Sequence, residues 1–131
     1  MALETIYFLL SNATAVTSLV GTRIYPGVLP EGEPLPALSI FDIDENPTGT
    51  KDSASAVDVY DVQVSIFVDA SLGYAQIMPI SNAIKTALNR ITGTINGVSV
   101  NGLTFLNASQ VYESDNNTFS RALRFAIRLN P

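Results

Sequence analysis

The sequence predicts an α+β domain, a mainly antiparallel sheet of about four to five strands with helices packed on one face. The segment from Val57 to Val68 alternates apolar and polar residues, the pattern of a strand with one buried face. The segment from about Ser71 to Arg90 repeats apolar residues at helical spacing. The predicted elements follow in the order helices, strand, strand, long helix, strand, strand, which favours this architecture over a parallel α/β fold.

Length and composition predict a single folded domain over residues 1–131. Apolar residues make up 47% of the chain and charged residues 15%, which excludes an intrinsically disordered protein. A monomer ordinarily keeps more charge on its surface. The composition therefore predicts that part of the surface is covered by another molecule.

Two short helices are predicted at the N-terminus. Apolar residues recur at helical spacing across residues 2–11, and a second helix over Thr14 to Val20 ends at Gly21, a residue typical of the position after a helix. A brief extended piece, Thr22 to Tyr25, ends at Pro26. The long helix contains Pro79, which is expected to kink it or to break it in two.

Further strands are predicted over Ala37 to Ile43, Phe105 to Glu113 and Thr118 to Leu129, the last two joined by a turn at 114–117. Glycines at 93, 97 and 102 predict a short hairpin-like region before them. Residues 27–36, rich in proline, are expected to form an extended loop, and residues 46–56 a flexible one.

The sheet face away from the helices is predicted to be polar. Asp61, Gln63 and Ser65 share that face of one strand, and Arg124 and Arg128 share it on another, whereas Arg121 points the opposite way. Either this face is solvated, with pairs of opposite charge across the strands, or another subunit covers it.

Enzyme chemistry finds little support, because the chain has no histidine and no cysteine. No phosphate-binding glycine loop or nucleophile motif occurs, so no cofactor is expected. The acidic run from Asp42 to Asn46 resembles the start of a calcium loop, but Pro47 and Ser53 stand where such a loop requires Gly and Glu. No metal site is predicted, and a carboxylate-based hydrolase is the weakest of the functional hypotheses.

Charge and hydropathy restrict the partners. A net charge of −5 argues against a protein that grips nucleic acid, since such affinity comes from Lys and Arg contacts to phosphate. Glu4 stands where a signal peptide carries positive charge, and no apolar run reaches the length of a membrane span. The sequence is thus expected neither to be secreted by the standard route nor to contact a membrane.

Five segments carry a resemblance to a known family: "LVGTRIYP", "GVLPEGEPLPALSIF", "VDVYDVQVSIFV", "YAQIMPISNAIKTALNRI" and "VYESDNNTFSRALRFAIRL". In this order they resemble the small tail completion proteins of long-tailed bacteriophages, also called tail terminator or head-to-tail joining proteins. The resemblance implies a structural virion protein of the tail and neck, assembled in the host cytoplasm.

The resemblance also implies a role and partners. Such a protein forms a hexameric ring on the head-proximal end of the tail tube, ends tube polymerisation and docks the head connector. The implied partners are further copies of the chain, the tail-tube protein and the connector or neck protein. DNA would pass through the channel without specific binding.

The candidate interface residues are Arg23, Tyr25, Lys51, Asp52, Arg124 and Arg128. Arg and Tyr are enriched in interface hot spots, and the loop that contains Lys51 and Asp52 could reach the tube or the connector. A purely structural role is the alternative for the first two: Tyr25 would hold its segment to the core, and Arg23 would pair with an acidic neighbour.

Rival functions remain open at this point. Within a virion, a tail-tube subunit or a head-completion protein of the neck is the closest competitor. Outside it, a monomeric α+β module that binds a ligand or peptide would have the same composition. A tube protein should polymerise indefinitely, a terminator should stop at one ring, and a binding module should stay monomeric.

Overall fold

A computed structural model describes residues 2–27, 34–47, 58–71, 73–95, 97–113 and 118–129 of the chain. Within these residues the elements are α1 (Ala2–Ser11), α2 (Thr14–Val20), β1 (Ile24–Pro26), β2 (Ala37–Pro47), β3 (Asp58–Asp69), α3 (Gly73–Leu88), β4 (Gly93–Ile95), β5 (Val98–Glu113) and β6 (Thr118–Leu129).

The strands form one sheet in the order β1-β2-β3-β6-β5-β4. Every neighbouring pair is antiparallel except β1 and β2, which are parallel. The predicted α+β class and mainly antiparallel sheet are confirmed, but the strand count was wrong, since the described residues form six strands. The outermost strands, β1 and β4, have three residues each, too few for an alternating pattern to identify.

The core lies between the helices and one face of the sheet. Val64 on β3, Phe125 on β6 and Ile84 on α3 are fully buried there. The residues that alternate with them point to the opposite face, as the period of two in β3 and β6 predicts. The helices therefore pack on a single face of the sheet, as predicted.

Both N-terminal helices have the predicted bounds. Ile6 and Leu10 of α1 and Val16 and Val20 of α2 are fully buried, and they form the apolar stripe that each helix contributes to the core. Gly21 ends α2 with φ +63°, and its N–H donates to the carbonyl of Thr17 at 2.8 Å. A residue with a Cβ would be strained at this φ, so glycine is favoured here.

Helix α3 is continuous through Pro79, so the predicted alternative of a break is wrong. Pro79 lies on the exposed side of the helix, where water can reach the Ala75 carbonyl that loses its partner. The helix is shorter at both ends than the predicted 71–90. After it, Arg90 has φ +56°, and its N–H donates to the Leu103 carbonyl of β5 at 2.9 Å.

Strands β2 and β5 are both longer than predicted. β2 continues to Pro47, so Asn46 and Pro47 belong to a strand and not to the predicted loop, and β5 begins at Val98 instead of Phe105. Each strand contains a register shift, between Asp42 and Asp44 in β2 and at two places in β5. A bulge reverses which residues point to each face. The alternation of apolar and polar residues is then interrupted, and the pattern no longer predicts that the strand continues. The rest of the predicted 46–56 loop and the 114–117 turn lie outside the described residues.

Candidate assembly surfaces

The sheet face away from the helices carries the predicted polar pairs. Arg124 Nη2 lies 3.2 Å from Asp61 Oδ2, a salt bridge between β6 and β3, with side chains 37% and 22% exposed. Gln63 Nε2 donates to Ser65 Oγ at 2.9 Å. The Asp61–Arg124 contact confirms cross-strand pairing on this face, whereas Gln63 and Ser65 pair along β3. The Arg124 Nε atom is buried and has no hydrogen-bond partner among the described residues.

On the opposite face, two basic side chains attach α3 to the sheet. Arg121 Nε donates to the Ser81 hydroxyl at 3.1 Å, and Lys85 Nζ lies 4.7 Å from the centre of the Phe105 ring. Phe105 in turn meets Phe125 edge to face at 5.5 Å. Arg121 thus points away from Arg124, as its place in the alternation predicts, and it has a structural role.

Among the described residues Arg23 contacts a backbone carbonyl, and the acidic partner of the structural alternative does not occur among them. Its Nε donates to the Pro36 carbonyl at 2.8 Å, and its own carbonyl accepts from the Leu38 N–H at 2.9 Å. The side chain therefore ties the start of β1 to the start of β2. Tyr25, half-buried, is level with Ser39 in the β1–β2 register.

The candidate residues do not form one cluster. Arg23 and Tyr25 lie at the β1 end of the sheet, whereas Arg124 and the exposed Arg128 lie on β6, with β2 and β3 between them. Lys51 and Asp52 lie outside the described residues.

Among the described residues, no group of three or more His, Cys, Asp or Glu side chains could hold a metal ion. The N–H and hydroxyl of Ser71 donate to the Asp69 carboxylate at 2.9 and 2.8 Å and lower the pKa of Asp69. This carboxylate sits in the turn between β3 and α3, so its hydrogen bonds stabilise a turn.

Residues that sequence reasoning missed are apolar and exposed. β5 carries Leu106, Val111 and Tyr112 with exposed fractions of 45%, 54% and 57%, and β2 carries Ile43 at 44%. On the helices, Tyr7 is exposed beside a shallow pocket lined by Leu3, Glu4, Tyr7 and Pro26. The sequence shows that these residues are apolar but not that they are exposed, because the same residues would equally fit a buried strand.

Two strand edges are unpaired among the described residues. β4 pairs with β5 only over Val98 to Val100, and β1 pairs with β2 only over Leu38 to Ile40. We call Thr104–Val111 the free β5 edge and Phe41–Pro47 the free β2 edge, because no described strand lies beside either. Outward backbone groups of such edges can pair with another chain.

Comparison with known proteins places the chain in a family. The model of the family "Tail completion protein gp17" matches residues 4–130, nearly the whole chain. The chain belongs to this family. It is a structural protein of a phage-type virion, and its place is the virion tail.

A solved structure shares the fold of this tail completion protein. A chain of the "Virion of native gene transfer agent (GTA) particle" matches with a TM-score of 0.83 and 24% identity, over 98% of this chain and 94% of that chain. No curated protein gives a significant match.

No single helix in the described part of the chain is long and apolar enough to span a membrane. Taken together, the bent pair of α1 from Leu3 and α2, at 83°, meets the criteria of length and composition. The apolar residues Ile6, Leu10 and Val16 of that pair are buried in the core.

Proposed function

We propose that this tail completion protein forms a hexameric ring at the head-proximal end of the tail tube, ends tube polymerisation and joins the tail to the head connector. The family match over residues 4–130 carries the proposal. A protein that ends a polymer needs one surface that binds the last tube ring, and its opposite surface must not offer a binding site for a further tube ring.

The surface chemistry of the chain supports this function. The net charge of −5 suits a channel through which DNA passes without being held. The exposed apolar residues of β2, β5 and α1 would be covered in an assembly, which accounts for a charged fraction of only 15%.

Within the ring, Arg23 and Tyr25 are proposed to lie at a subunit boundary, and Arg124 and Arg128 on a surface that a neighbour covers. A neighbour's carbonyl or carboxylate would satisfy the buried Arg124 Nε. Lys51 and Asp52 are proposed to contact the tube or the connector.

The proposed role of Arg23 is tested by measuring ring formation and unfolding separately. Arg23→Ala is expected to weaken ring formation more than it lowers the free energy of unfolding, because the Pro36 bond is a single contact at the sheet margin. Equilibrium unfolding and light scattering on the same samples give both quantities. Lost stability with unchanged assembly would assign Arg23 a structural role alone.

The function is tested by adding the purified protein to growing tail tubes. Tubes capped at one end, and a discrete ring in light scattering and negative-stain images, are expected. Indefinite polymers of this chain would favour a tube subunit. Binding to head connectors with no effect on tube growth would favour a neck protein, and a strict monomer that leaves tubes uncapped would favour a binding module.

A further inference from the structure

The free β5 edge is unusual for an exposed strand edge. Within Thr104–Val111 there is no proline, lysine or arginine, the residues that ordinarily block pairing between edges. Most side chains of this stretch are exposed, Leu106 and Val111 among them. A long, exposed and uncharged edge strand of this kind readily pairs with a further strand.

The free β2 edge, at the opposite side of the sheet, is complementary in charge. It contains three acidic positions, Asp42, Asp44 and Glu45, around the exposed Ile43. Beside the free β5 edge lies a cation, the exposed Arg90, whose N–H is bonded to Leu103 of β5. One side of the sheet is therefore acidic around an apolar residue, and the other is uncharged with a basic residue at one end.

The directions of β2 and β5 and their positions along the sheet also agree with a contact between the two free edges. β2, β3, β6 and β5 alternate in direction, so β2 and β5 run opposite ways. Copies placed side by side around a ring would therefore bring them together antiparallel. Followed through the strand registers, Asp42 is level with Phe105 and Asp44 with Thr104, so a neighbour displaced without stagger would bring the start of its free β2 edge beside the end of the free β5 edge that lies next to Arg90.

We propose that the free β2 edge of one copy pairs antiparallel with the free β5 edge of the next, so that the sheet continues from subunit to subunit. This inference rests on the proposed ring and names its contact. The contact is heterologous, since each copy contributes a different edge, and a heterologous contact is the kind that closes into a ring. Asp42 lies on the helix side, as does its cross-strand partner Val62, and so faces the neighbour's Arg90.

Cysteine cross-linking tests the pairing directly, because the chain contains no cysteine. Ile43→Cys and Leu106→Cys are made in separate chains, and both positions are exposed, so the fold is expected to tolerate them. On mild oxidation, a mixture of the two chains should give a covalent dimer on a non-reducing gel, whereas either chain alone should give none. A mixture of Ser18→Cys and Thr86→Cys, exposed positions away from both edges, is the matched control.

Moving the cysteine pair tests the direction. Phe41→Cys should link best to a position nearer Val111, and Ile43→Cys to one nearer Thr104, if the strands are antiparallel. The opposite trend would overturn the antiparallel pairing.

The outcomes separate this inference from the ring itself. Tubes that are capped by rings in which no β2 position links to any β5 position would overturn the edge pairing and leave the proposed function intact. Linked β2 and β5 cysteines in open chains that never cap a tube would support the pairing and contradict the proposed function. Without linkage and without capping, both proposals fail.

Discussion

The centre of the sheet and the free β5 edge differ although both belong to one continuous sheet. In β3 and β6 the apolar face is buried under the helices, and the polar face carries the Asp61–Arg124 salt bridge. In the free β5 edge Leu106 and Val111 are about half exposed, and one row of backbone groups has no described partner.

This difference separates stability from assembly within one sheet. The helices cover β5 as far as Phe105, which contacts Lys85 and Phe125, and beyond that residue the strand is mostly exposed. Changes at the centre should therefore affect unfolding, and changes at the free β5 edge should affect contacts between copies.

The largest effect is expected for Phe125→Ala. Phe125 is fully buried, and its removal leaves a cavity beside Phe105, so the free energy of unfolding should fall by about 3–5 kcal/mol. Urea unfolding measures the change, and Phe125→Leu provides a milder variant if the alanine protein does not fold. Val111→Ala, the matched change on the free β5 edge, should stay within about 0.5 kcal/mol, and equal losses at the two sites would contradict the comparison.

The opposite result, a weaker contact between copies with little change in unfolding, is expected for the double variant Leu106→Lys, Val111→Lys. Two lysines on the free β5 edge should raise the dissociation constant between copies about tenfold or more, because pairing would desolvate their charges. Light scattering over a concentration series, with capping of tail tubes, provides the readout. Leu19→Lys on α2 is the control, since Leu19 is 40% exposed and belongs to a helix and to neither free edge; equal weakening by the control would show a general charge effect.

A smaller effect is expected at the Asp61–Arg124 salt bridge. Because both side chains are partly exposed, a double-mutant cycle with alanine at each position should give a coupling of about 0.2–1 kcal/mol in unfolding. The coupling should decrease with added salt. If the coupling in assembled rings greatly exceeds that in the monomer, the polar face is itself part of the subunit contact.

The smallest effect is expected for Asp69→Asn. The Ser71 bonds lower the pKa of this carboxyl below its ordinary 3.8, so the ionised form stabilises the fold above pH 3.8 and is lost as the pH falls through the lowered value. The stability difference between the wild type and Asp69→Asn should therefore be largest near neutral pH and shrink below pH 3.8. Urea unfolding at several pH values tests this, and a difference that grows on acidification would contradict it.

Sequence reasoning predicted the faces of the arginines on β6 but not the contact that Arg23 makes. The alternation in β6 assigned Arg121 to one face and Arg124 to the other, and both contacts agree with that assignment. It did not find the Pro36 partner of Arg23, because that contact bridges thirteen residues and depends on how β1 lies beside β2.

The sequence by itself determined the helices α1 and α2, the faces of β3 and β6 and the α+β class, because period and composition act locally. Only the tertiary structure decided the strand order, the bulges that extend β2 and β5, and the parallel pairing of the short β1. These features depend on which strands meet, and the alternation within one strand does not identify the strand that lies beside it. For the same physical reason, the two free edges emerge only once the order of the sheet is known.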